Sequence, residues 1–157
     1  MLYLVRHAKA GSRGNWEGDD RERPLSDGGW RQAAALAGRL APLALGSLVS
    51  SPYMRCRQTL EPLAAALGRD VICDDRLAED RGFAGVLQLL TELPDGSVLC
   101  SHGDVIPDTI GALERRGCSI AGAPDWRKAS VWVLLRDGSG GVSRAAAWPP
   151  PANDPNQ

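Results

Sequence analysis

The sequence predicts an α/β fold, a three-layer α/β/α sandwich around a mostly parallel, mixed central sheet. Strand-like apolar runs alternate with helical patterns along the chain, as in a parallel sheet covered on both faces. Two of those runs, Leu2 to His7 and Ser97 to Ser101, are apolar enough to be buried strands. The only two histidines, His7 and His102, each stand just past one of them, where open α/β sheets bind their ligands.

Taken in order, the first strand delivers Arg6 and His7 to a loop. Gly11 to Leu25 is polar and charged with no periodic pattern, and a long loop at such a place reads as a substrate loop. Arg13, Arg21 and Arg23 could reach a phosphate from it, Asp19 and Asp20 are expected to pair with those arginines, and Trp16 could stack a base or cover the loop. Ser26 offers an N-cap to a helix over Asp27 to Ala41, ended by Pro42. Leu48 to Ser50 is a strand, and Ser51-Pro52 are expected to cap and open a helix carrying Arg55 toward the same crevice. Pro62 is expected to break that helix, with Thr59 as a new cap before Glu61 to Leu67.

Val71 to Cys73 reads as a short strand, and Asp75 to Gly82 as an irregular charged segment. A helix over Phe83 to Leu93, the strand leading to His102 and a helix over Val105 to Arg116 follow. Beyond Gly117 the chain reads as loose until the strand Ser130 to Leu135. The Gly-rich turn Asp137 to Gly141 and a last strand, Val142 to Ala147, form a hairpin expected at one edge of the sheet. The Pro-rich residues 149–157 read as a disordered tail behind a single domain over 1–148.

Composition narrows the function classes. Of 157 residues, 43% are hydrophobic and 24% charged, an ordinary globular balance, while 5% aromatics leave the core to Ala, Leu and Val. A net charge of -1 argues against a nucleic-acid-coating protein, and no run approaches transmembrane length, so neither a nucleic acid polymer nor a membrane is an expected partner. Cys56, Cys73, Cys100 and Cys118 form no C-x-x-C pair and read as free buried thiols in a reducing compartment. With too few apolar residues before Arg6 for a signal peptide, the expected location is cytoplasmic. Two histidines and several arginines converging without a metal-ligand cluster describe a phosphate pocket.

Four segments in order, the strand ending in Arg6-His7, SSPYMRCRQT, LAED and the late SHG, resemble the histidine phosphatase superfamily on its phosphoglycerate-mutase-like side. RHAKAGSR, GDDRERPL, RCRQTLEPLAA, VIPD and RKASVWVL are further similar to the phosphatase domain fused behind Nudix hydrolases in some actinobacterial proteins. Small phosphohistidine phosphatases are the other near likeness. The resemblance implies a phosphatase without metal or cofactor. It would act on a phosphorylated small molecule or nucleotide, or on a phosphohistidine protein.

Within it, each residue type suits its task. A neutral imidazole offers a nucleophilic lone pair near pH 7, which assigns His7 as nucleophile. Arg6 and Arg55 can hold phosphate oxygens bidentately, and His102, protonated beside the dianion, adds a third clamp. Glu79, where the family usually carries its acid, is the first choice for general acid, ahead of Asp80 and Asp104. Ser12, Arg13, Arg23 and Lys128 are candidate substrate contacts.

Taken singly, each of these residues has an ordinary structural use; their joint placement at matching strand ends points to catalysis. A mutase is less favoured because the chain is short and shows no insertions that would enclose its substrate. A non-catalytic phosphate-binding regulatory module would not need the acid, and a metallohydrolase lacks a third ligand at fixed spacing.

Overall fold

A computed structural model describes residues 1–152. A seven-stranded sheet carries strands β1 (Leu2–Arg6), β2 (Leu48–Ser50), β3 (Val71–Cys73), β4 (Val98–Ser101), β5 (Ser119–Ala121), β6 (Val131–Arg136) and β7 (Val142–Trp148), in the order β3-β2-β4-β1-β6-β7-β5. Pairings are parallel from β3 through β1 and between β7 and β5, and antiparallel on either side of β6.

The alternation of β1 divides the core. Tyr3 and Val5 face a cluster with Leu36, Leu40, Leu60 and Leu63, from helices α1 (Asp27–Leu40) and α2 (Met54–Leu67). Leu2 and Leu4 face the opposite cluster, with Leu89, Leu90, Ile106 and Ile110 from α3 (Ala84–Glu92) and α4 (Val105–Arg115). Successive strand side chains point to opposite faces, so one central strand anchors both helix layers of the expected sandwich. No helix among the described residues is long and apolar enough to cross a membrane.

Four local expectations are corrected. The helix bearing Arg55 begins at Met54, with Tyr53 as its N-cap, and runs unbroken through Pro62 to Leu67. Leu60 and Leu63 flank the proline and are buried in the core, and that packing outweighs the backbone hydrogen bond the ring removes. Thr59 is no cap: its hydroxyl donates to the Arg55 carbonyl at 2.7 Å. The segment beyond Gly117 holds the edge strand β5, three residues too short for any periodicity to register, so the β6–β7 hairpin lies inside the sheet. Cys73 is exposed on edge strand β3, unlike the buried Cys56, Cys100 and Cys118; all four are free thiols.

Ser26 caps α1 as expected, accepting from Gly29 N at 3.1 Å. There α1 touches the loop after His7 so closely that a Cβ on Gly29 would lie 1.8 Å from the Lys9 carbonyl oxygen. Beyond β7, Pro149 accepts a 2.8 Å hydrogen bond from Arg39, and Pro150 to Ala152 line a groove beside the site. The remainder of the expected tail, 153–157, lies outside the described residues.

Candidate active site

The parallel strands β1, β2 and β4 end side by side, releasing His7, Ser51 and His102 at one edge of the sheet. Above them lies a cavity of about 370 Å³ lined by Arg6, His7, Ser12, Arg13, Arg23, Arg55, Glu79, Asp104 and Lys128, among others. Nearly every expected site residue therefore meets in one place. His102 forms a buried neighbour of that cavity, its ring centroid 5.6 Å from that of His7. Asp80 is exposed and does not line the cavity, whereas Asp104 does.

His7 is held by its own loop. Its Nδ1 lies 2.8 Å from the Ala8 carbonyl oxygen, which can only accept, so Nδ1 carries the hydrogen and Nε2 keeps its lone pair. Burial, reinforced by the positive charge of Arg55 and Arg6, lowers its pKa to about 3 against the opposing Ala8 bond. Ala8 is fixed in turn, its N–H donating to Thr59 Oγ1 at 2.9 Å. Ala129 closes the loop from the other side, its N–H shared by the Arg6 and His7 carbonyls. Ala129 has φ +67°, a left-handed conformation that costs a residue with a Cβ about 1 kcal/mol and that these two bonds help to hold.

His102 is fixed through Nε2, which lies 2.8 Å from Ser51 Oγ. The same hydroxyl accepts from Tyr53 N at 3.3 Å; with its own hydrogen given to Nε2, the ring hydrogen is assigned to Nδ1. That Nδ1 is buried and has no partner among the described residues. The Tyr53 ring packs edge-on against His102 at 4.7 Å and lies 4.9 Å from the Arg55 guanidinium.

The cations already hold an anion of the chain's own. Arg55, 1% exposed, donates to the Asp20 carbonyl at 2.9 Å and to its carboxylate at 3.2 Å. Arg23 reaches the same carboxylate at 2.9 Å, and Arg13 stands 3.6 Å away. Burial of Asp20 opposes its ionisation, but the Arg23 hydrogen bond and the charges of Arg55, Arg23 and Arg13 prevail and lower its pKa. Glu79 lies 3.2 Å from Arg13 and 3.5 Å from Arg55. Arg6 donates to the Trp126 carbonyl at 2.6 Å and packs on Gly103, where a Cβ would come within 2.7 Å of its Cζ. Burial lowers the Arg6 pKa, partly offset by Asp104.

Sequence reasoning missed Ser51, Cys56, Tyr53 and Thr59 as supports of the site. Thr59 follows Arg55 by four residues and so shares its helix face, a spacing that could have marked it. Cys56 Sγ lies 3.5 Å from His102 Nε2, a contact no local pattern announces. Among the described residues, no three His, Cys, Asp or Glu side chains are grouped to hold a metal ion.

The profile of the histidine phosphatase superfamily (branch 1) matches residues 2–85. A Mycolicibacterium smegmatis protein named 8-oxo-(d)GTP phosphatase is 36% identical over 145 residues, 87% of this chain but 45% of that one. The chain thus spans less than half the length of the curated relatives it matches. A solved structure assigned to the phosphohistidine phosphatase SixA, from Agrobacterium tumefaciens, aligns with TM-score 0.67 at 26% identity, over 86% of this chain and 90% of that one. The tungstate complex of the protein histidine phosphatase SixA aligns with TM-score 0.68 at 22% identity, over 90% of this chain and 91% of that one, a likeness of fold.

Proposed function

The chain belongs to the histidine phosphatase superfamily, and on that premise we propose that residues 1–148 form a metal-independent phosphohydrolase working through a phosphohistidine on His7. One observation carries the reading: His7 is neutral, its Nδ1 hydrogen is committed to Ala8, and its free Nε2 sits at a cavity lined by arginines. Such an imidazole is a nucleophile already in the right tautomer.

In the first step Nε2 attacks phosphorus and the bond to the leaving oxygen breaks. The bonding pair departs with that oxygen, which takes a proton from Glu79. Arg6 and Arg55 hold the equatorial oxygens, and Nδ1–H of His102 gains in the phosphoryl group the acceptor it otherwise lacks. In the second step water attacks the phosphohistidine and Glu79 takes its proton. Phosphate leaves, and His7 regains its lone pair. Ser12, Arg13, Arg23 and Lys128 meet the substrate at the rim. The substrate is a phosphorylated small molecule or nucleotide, a reading supported by the named activity of the Mycolicibacterium relative.

The test is phosphate release, with chelator present, across nucleotides, sugar phosphates and a phosphohistidine protein, with His7→Ala run alongside. Turnover that survives chelation and vanishes in the variant is the expected result. Turnover only of the phosphohistidine protein would move the chain to that substrate class. No turnover at all, or an equally active variant, would leave a non-catalytic phosphate-binding module.

A further inference from the structure

The phosphate cavity opens beside a second one of about 560 Å³, with which it shares Arg6 and Lys128. Every charged side chain lining this groove is positive: Arg6, Lys9, Arg127 and Lys128. Arg127 is satisfied by Asp125 at 2.6 Å, whereas Lys128 has no salt bridge among the described residues, and burial together with the positive charges of Arg6, Arg23, Lys9 and Arg55 lowers its pKa. Arg6 Nε is buried without a partner among the described residues. Gln32 spends its carbonyl on the Lys9 N–H at 2.9 Å, which turns its amide nitrogen into a spare donor. The groove's apolar lining comes from Pro150, Pro151 and Ala152.

We propose that this groove binds the departing half of a phosphoanhydride, so that the substrate carries a second phosphate next to the transferred one, as nucleoside di- and triphosphates do. This rests on the phosphohistidine reading of the first cavity and names its substrate class. Whatever a substrate places outside the phosphate cavity is its leaving part, and like charges at the groove repel one another until an anion lies between them. A sugar alcohol or a histidine side chain would leave them unpaired. When His7 Nε2 attacks the terminal phosphorus, the bridging P–O bond breaks and its electron pair stays on the bridging oxygen. That oxygen takes its proton from Glu79 and becomes a terminal oxygen of the departing phosphate, whose remaining charge Lys9 and Lys128 meet. The proline lining faces the nucleoside.

Binding tests this apart from turnover. In the His7→Ala chain, with His7→Asn as a second non-phosphorylatable background, GDP and GMP are titrated calorimetrically before and after adding Lys9→Ala and Lys128→Ala. Both lysines are exposed, so their loss should not disturb the fold. We expect GDP to bind about tenfold more tightly than GMP, and this advantage to fall below about threefold without the lysines. Equal binding of the two nucleotides, no binding, or an advantage that survives loss of both lysines overturns the proposal. Turnover of p-nitrophenyl phosphate, which has no second phosphate, and its loss in His7→Ala report separately on the phosphohistidine reading.

Discussion

The Asp20 carboxylate lies 3.2 Å from the Arg55 guanidinium, so the loop over the site places a negative charge of its own against a cation assigned to phosphate. A phosphate entering the cavity must displace that carboxylate or share the arginines with it. Asp20→Asn removes the competitor, and inorganic phosphate should then inhibit about three- to tenfold more strongly. An unchanged inhibition constant would mean that Asp20 and phosphate do not compete.

His7 makes stability depend on pH. Its folded pKa of about 3 lies below the ordinary 6.5, so between those values the unfolded chain binds a proton that the folded chain does not. Stability is unaffected by this group above pH 6.5 and falls as pH drops below it, amounting to about 2 kcal/mol by pH 5. Urea unfolding at pH 7.5 and pH 5 should show that extra loss in the native chain and not in His7→Asn. Equal losses in both would place the effect elsewhere.

Glu79→Gln separates the three candidate acids. A proton donor matters most for a basic leaving group, so turnover of an alkyl phosphate should fall about 10²- to 10⁴-fold. Turnover of p-nitrophenyl phosphate should fall far less. If instead Asp104→Asn produces that leaving-group dependence, the acid is Asp104, which also lines the cavity.

Thr59→Val keeps the shape of a buried side chain and deletes the hydroxyl that joins α2 to the His7 loop. The Ala8 N–H is left without an acceptor, at a cost of about 1–3 kcal/mol in chemical denaturation. Because Ala8 also orients the His7 ring, kcat should fall as well. A stable variant with native kcat would show that the loop holds itself.

Gly103→Ala would drive a methyl group into Arg6. Since the guanidinium can swing away, the melting temperature should change little while KM rises several-fold, a split readable from steady-state kinetics.

The sheet and the meeting of the two histidines were legible because each rests on a local pattern, an apolar run followed by a polar residue at its carboxyl end. Residues that act through space were not. Ser51 reads in sequence as a helix cap, and only the neighbouring end of β4 turns its hydroxyl toward His102. Pro62 reads as a breaker because its local penalty is visible, whereas the core burial of Leu60 and Leu63 that outweighs it is tertiary. The Glu79 segment has no periodicity of its own. It was found by resemblance to a family, and its position beside Arg55 depends on a fold that local rules do not specify.

The central place of β1 also bears on how the molecule comes to be. Leu2 to Arg6 are synthesised long before Val98 to Ser101 and Val131 to Arg136, the segments that flank them in the sheet. A strand that must wait so long for both neighbours raises the contact order and slows the search for the native pairing. On the ribosome, Leu2 to Arg6 stay an unpaired apolar strand until Val98 to Ser101 have emerged, and wait longer still for Val131 to Arg136. It is the stretch where premature association with another nascent chain would begin.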